Sequence, residues 1–188
     1  MDASTATRGP LMSSLGLMQE SISNQRSWSS AELLKKALSG KNWAPSPLAC
    51  SGVTDCYQPV EKRLGITRQC LEVLAKTLHP VSIITKNHLV TRDADWLGQL
   101  ASHKAASVTL SITTLGHKLA HILEPRASSP KQRLQAIRTL REAGVPVSGN
   151  VAPIIPGLND HEIPSILEAA ADHGALSAGY TMVRLPMS

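Results

Sequence analysis

The sequence predicts an α/β fold made of serial βα units on a parallel sheet. Short β-branched runs alternate with amphipathic stretches along most of the chain. Most amphipathic stretches open on a capping residue and close on Gly or Pro, so each stops before the next run begins. That alternation is the pattern of βαβ units. Composition adds a third observation: 42% of the 188 residues are hydrophobic, aromatics make up 3%, and Phe is absent. The core must then be assembled from Leu, Ile, Val and Ala, and the length suits one domain or part of a larger one.

Residues 1–28 are rich in Ser, Thr, Met and Gln without a sustained period and read as a disordered or divergent leader. Residues 29–188 form the expected core domain. Ser29 with Glu32 makes a capping-box pattern for a helix through Leu33, Leu34 and Leu38 that stops at Gly40. Leu48 to Val53 is a short apolar run, followed by a loop from Thr54 to Pro59. Thr67 is the expected N-cap of a helix carrying Leu71, Leu74 and Leu78, ended by Pro80. Val81 to Thr85 is the next strand. A helix near Asp93–His103 turns Trp96, Leu97 and Leu100 inward. Ser107 to Ile112 is a strand, and a helix near Gly116–Leu123 places Leu119, Ile122 and Leu123 on one face. Ser129-Pro130 starts a helix with Leu134, Ile137 and Leu140 as its stripe and Gly144 at its end. Val145 to Val151 is a strand. Asn159 or Asp160 caps a last helix with Ile163, Ile166, Leu167 and Ala170, and Ala175 to Leu185 holds the final strand.

Several classes are excluded. No apolar run reaches the ~18 residues of a membrane span, and no basic segment precedes an apolar one as in a secretory signal. No GxGxxG or GxxxxGK[ST] follows a strand, so dinucleotide and P-loop sites lack their key residues. The net charge of +5 permits contact with nucleic acid but does not argue for it, since Lys and Arg are scattered and stacking aromatics are few. The three cysteines, Cys50, Cys56 and Cys70, form no C-x-x-C pair and read as reduced thiols of a cytoplasmic protein.

In parallel α/β folds, functional groups sit on loops after the carboxyl ends of strands. Those loops carry Thr54, Asp55, Tyr57 and Gln58; then Lys86 and Asn87; then Ser111, Thr113 and Thr114; Arg126 follows the next helix. Hydroxyls with one Lys, one Asp and one Arg on a common rim suit a small zwitterionic ligand. A carboxylate needs Lys86 or Arg126, an ammonium needs an acceptor such as Asp55, and a ribose needs Ser111 or Thr113.

The segments Thr54-Asp55-Cys56-Tyr57-Gln58-Pro59-Val60-Glu61, Val81-Ser82-Ile83-Ile84-Thr85-Lys86, Ser111-Ile112-Thr113-Thr114, Glu124-Pro125-Arg126-Ala127 with Arg133-Leu134, and Val151-Ala152-Pro153-Ile154-Ile155-Pro156-Gly157-Leu158-Asn159-Asp160 carry a resemblance. From about Trp43 to Leu185 the chain resembles radical S-adenosylmethionine (SAM) proteins of the spore photoproduct lyase-like, or DNA-repair-photolyase-like, family. The resemblance implies a partial (β/α)6 TIM-like barrel and, in intact relatives, a [4Fe–4S] cluster that reductively cleaves SAM to a 5′-deoxyadenosyl radical. It assigns Thr54 and Asp55 to the methionyl part of the ligand, Lys86 and Ser111 to polar contacts, Ala152 and Pro153 to the adenine, and Arg126 to the carboxylate.

One departure weighs against activity. The family motif C-x-x-x-C-x-x-C is absent, and Cys56 stands where relatives tend to carry Pro. With no cluster thiolates the chain reads as a fragment or degenerate member, inactive alone, with SAM affinity weak or lost and no substrate indicated. The alternatives are a non-catalytic SAM- or protein-binding module on the remnant barrel, and a non-redox βα-barrel lyase or aldolase with Lys86 as Schiff-base nucleophile. His88, two residues on, would point away from such a Lys.

Overall fold

The computed structural model describes residues 29–41, 43, 46–50 and 54–184. The leader over 1–28 and the first strand's expected extension over 51–53 lie outside the described residues, as does the last strand's Leu185. The elements run α1 (Ser30–Leu38), β1 (Leu48–Cys50), α2 (Glu61–Leu64), α3 (Ile66–Thr77), β2 (Val81–Thr85), a 3-10 turn (His88–Asp93), α4 (Ala94–Ser102), β3 (Ala106–Ser111), α5 (His117–Leu123), α6 (Pro130–Glu142), β4 (Val147–Ile154), a second 3-10 turn (Asp160–Glu162), α7 (Ile163–Asp172) and β5 (Ser177–Met182).

All five strands are parallel and lie in sequence order β1-β2-β3-β4-β5, the open α/β sheet that the alternation predicts. One face is apolar: Ile83 sits beside Val108, and Val108 beside Val147, under the helices. The other face carries Ser82, Ser107, Thr109, Ser148 and Asn150, which stay half-buried. β5 is exposed along its whole length, and Tyr180 and Met182 stand out to solvent on the face that the helices cover elsewhere.

The helix starts follow local chemistry. Ser29 and Glu32 form the expected reciprocal cap of α1. Ser129 caps α6 with Gln132, and Pro130 fits the first helical position because its missing N–H has no partner there anyway. Where the fold departs from the sequence reading, tertiary contacts decide. Thr67 does not cap α3, which starts from Gly65 in the left-handed region; its hydroxyl donates to the Cys56 carbonyl at 2.8 Å instead. Leu78 ends that helix at φ 51° and is exposed rather than inward. α5 buries only Ala120, and Ile122 is 75% exposed. Leu167 is likewise exposed, because no described element packs on the outer side of α7 near β5. β4 runs on through Pro153 to Ile154, past the Val151 expected from the apolar run.

The packing of α4 on the α6 end leaves no room at Gly98. A Cβ there would sit 2.8 Å from the Ala143 carbonyl oxygen, a backbone atom. Gly98→Ala should therefore lower stability by about 1–3 kcal/mol, although Ala is the better helix former by ~1 kcal/mol. Urea unfolding followed by circular dichroism measures the difference; a more stable variant would contradict the contact.

Candidate functional site

The loops at the carboxyl ends of β1, β2 and β3 are fastened to one another by side chains. Asp55 accepts from the Tyr57 and Lys86 backbone N–H groups at 2.9 and 2.8 Å and from the Thr85 hydroxyl at 2.8 Å. It thus clamps the loop after β1 to the end of β2. Asn87 and Ser128 continue the fastening: the Ser128 hydroxyl accepts from the His88 N–H at 2.8 Å and donates to the Asn87 carboxamide oxygen at 3.2 Å. Asn159, almost fully buried, reaches from the loop after β4 to the Thr113 and Pro153 carbonyls at 2.6 and 3.0 Å.

Beneath the first loop lies a buried ionic cluster. Asp93 has no exposed surface and accepts from Arg92 at 2.8 Å, Arg68 at 3.0 Å and the Tyr57 hydroxyl at 3.1 Å. Arg92 also donates to buried Glu61 at 2.8 Å, and Glu61 accepts from the Thr67 N–H at 3.0 Å. Burial first, then the Asp93 charge, pushes the Tyr57 hydroxyl far above its usual value. The phenol therefore stays a neutral donor and anchors the loop.

A second cluster centres on Glu124. Its Oε2 accepts from Arg133 at 2.6 Å, and its Oε1 faces the Thr113 hydroxyl at 2.6 Å and the Lys86 ammonium. Arg133 is 1% exposed and also donates to the Ser128 and Ser111 carbonyls at 2.8 and 3.0 Å. Burial pushes the Glu124 carboxyl up, but the Lys86 and Thr113 hydrogen bonds and the Arg133 charge outweigh it and hold the group below its ordinary range.

The loop clamped by Asp55 and the Glu124–Lys86 pair wall a cleft of about 610 Å³, lined by Thr54, Asp55, Gln58, Lys86, Arg126 and their neighbours. Four of the seven residues singled out from sequence therefore meet: Thr54, Asp55, Lys86 and Arg126. Ser111 lies beneath, 3% exposed at the end of β3, and does not line the cleft. Ala152 and Pro153 lie on β4, joined by a cis peptide bond; the Ala152 carbonyl lies 2.8 Å from the Thr113 hydroxyl, whose one proton it shares with Glu124, and the Pro153 carbonyl accepts from Asn159. They too are outside the cleft lining. Arg126 is exposed and makes no ion pair among the described residues. Sequence reading did not single out Glu124, Arg133, Glu61, Asp93 or Asn159 as site residues. All of these but Asp93 fall in the quoted segments, but nothing in a linear pattern marks a partner 38 residues away.

The described residues do not fit an iron–sulfur cluster. Among them no group of three His, Cys, Asp or Glu is placed to hold a metal. Burial pushes the Cys50 thiol up to about 11 and the Cys70 thiol up to about 12, and raises Cys56 further. A cluster needs thiolates, and these three pack against the core or within it.

A family model described as the radical SAM superfamily matches residues 17–170. An uncharacterized protein of Methanocaldococcus jannaschii is 37% identical over 112 residues, which is 60% of this chain and 42% of that protein. One of Mycobacterium tuberculosis is 31% identical over 130 residues, covering 69% of this chain and 38% of that protein. The chain thus spans about two fifths of the length of these curated relatives. Among solved structures, spore photoproduct lyase complexed with dinucleoside spore photoproduct superposes with a TM-score of 0.60 at 17% identity, covering 80% of this chain and 44% of that one. Streptococcus suis SuiB bound to S-adenosylmethionine gives 0.50 at 15% identity, covering 66% and 28%. At such identities the likeness is one of fold.

Two outcomes test the clusters. Asp93→Asn should destabilise the chain by on the order of 3 kcal/mol, because it leaves buried donors facing an uncharged group; thermal and urea unfolding report it. Glu124 titrates below its ordinary value of 4.5 when folded, so its pairing contributes fully above that value and is lost as pH falls through the folded one. Unfolding free energy should hold from neutral pH to about 5 and then fall, and Glu124→Gln should flatten that fall. An unchanged profile would contradict the pairing.

Proposed function

The chain belongs to the radical SAM superfamily, and from that membership we propose that its cleft binds S-adenosylmethionine through the amino-acid end without cleaving it reductively on its own. The family's cofactors are SAM and a [4Fe–4S] cluster, whose ligand motif this sequence lacks. The observation that carries the proposal is the charge state of the cleft wall. Both acids there are saturated: Asp55 by three donors, Glu124 by Lys86, Thr113 and Arg133. The cations are not. Arg126 is free of ion pairs among the described residues, and the Lys86 side chain is 31% exposed beside it. A carboxylate is the group such a wall recognises, through charge-assisted hydrogen bonds in a partly desolvated site. Thr54, its hydroxyl accepting from Gln58 at 2.5 Å, closes the far side against the rest of the ligand.

The chain's own residues bind and orient the ligand. Asp55 does so through the backbone, by fixing where Lys86 leaves β2. Ser111, Ala152 and Pro153 do not line the cleft; the Ser111 and Ala152 carbonyls bond Arg133 and Thr113, which hold Glu124, and their proposed part is to support its wall.

Calorimetry should detect S-adenosylmethionine binding, and Lys86→Ala and Arg126→Ala should each weaken it by roughly tenfold. Unchanged affinity in both variants removes the carboxylate assignment. Anaerobic supply of iron and sulfide should leave the chain without a stoichiometric four-iron cluster; a full complement by absorbance and iron analysis would overturn the non-cleaving part of the proposal.

A further inference from the structure

We infer that Glu124 is a positioning residue: anchored from the core side by Arg133, it holds the Lys86 ammonium at the place where the cleft takes a carboxylate. This rests on the reading of the cleft as a site for S-adenosylmethionine. The three side chains form a line of alternating charge from the interior to the cleft. Arg133 is 1% exposed, Glu124 10% and Lys86 31%. Each link is fixed by what lies behind it. Arg133 cannot move, because its guanidinium also holds the Ser128 and Ser111 carbonyls. Glu124 cannot turn, because each of its oxygens has a donor of its own.

Lys86 differs. Its backbone N–H is pinned by Asp55, but its four-carbon stem has many rotamers. Among the described residues the only carboxylate on its ammonium is Glu124. An ammonium has three donors, so Glu124 can hold it by one and leave others for a ligand. The arrangement also explains why Glu124 sits outside the β2 loop: it is delivered by the end of α5, so the positioning joins the β2, β3 and α6 elements.

In Glu124→Gln the single carbonyl oxygen cannot serve both donors. Arg133 has no alternative partner for that nitrogen among the described residues and retains the oxygen, so the amide NH2 turns toward Lys86, which leaves its place. The lost property should be the preference for a carboxylate, not binding in general. The experiment is calorimetric titration with S-adenosylmethionine and with its decarboxylated analogue. The intact chain should prefer the carboxylated ligand by roughly tenfold or more. Lys86→Ala and Glu124→Gln should each reduce that preference severalfold, and the double variant should reduce it no further than either one. Thr113→Val, which removes one donor to Glu124 and little volume, should give a partial loss and supplies the test should Glu124→Gln fail to fold. A purely structural Glu124 would weaken both ligands equally; that result, or additive losses in the double variant, overturns the inference. An intact chain that binds neither ligand overturns the reading of the cleft and the inference with it.

Discussion

The pairing of Glu124 with Arg133 is the interaction on which the carboxyl end of the sheet depends. A guanidinium with 1% of its surface exposed is tolerable only if its donors are satisfied. The partners that satisfy it are the Ser111 carbonyl at the end of β3, the Ser128 carbonyl before α6 and the Glu124 carboxylate after α5. Three segments of the chain are thereby drawn to one point. Such a pair is costly to form in a dry interior, and its value lies in the arrangement it enforces: removing either member leaves a buried charge.

The same logic separates scaffold from surface within the cleft. Most charged groups near it answer to other protein groups. Asp55 clamps backbone, while Asp93 and Glu61 neutralise Arg92 and Arg68. A segment that reads as a ligand motif, Thr54 to Glu61, is thus largely a loop framework: Asp55, Tyr57 and Glu61 each bond to protein, and Thr54 and Gln58 bond each other at the rim. What remains for a ligand is cationic. The cysteines belong to the scaffold as well: Cys70 is buried, Cys50 and Cys56 pack against the core, and no metal-holding group includes them among the described residues.

The sheet was legible because it is written in local terms. Val81 to Thr85, Ser107 to Ile112 and the Ser129-Pro130 start match the observed β2, β3 and α6 to within a residue or so. The misreadings are equally instructive. Periodicity puts Leu78, Ile122 and Leu167 on the apolar faces of their helices, yet whether a helical face is covered depends on which element lies opposite. β5 shows this most plainly: nothing in Ser177 to Met182 says that, among the described residues, neither face is covered.

The site divides in the same way. Thr54, Asp55, Lys86 and Arg126 were found because strand-end loops converge in any parallel sheet, and the order of the strands brings their neighbours together. Glu124 as the shared partner of Lys86 and Arg133 was not, because their meeting spans several intervening elements and no spacing rule joins them. By itself the sequence determined the alternation of elements, the aliphatic core, the absence of the cluster motif and the set of polar residues on the rim, since each is fixed by residue type and neighbours in the chain. Only the tertiary structure decided which of those polar groups are saturated and which face the cleft, because a charge's role depends on the partners that folding places within about 3 Å of it.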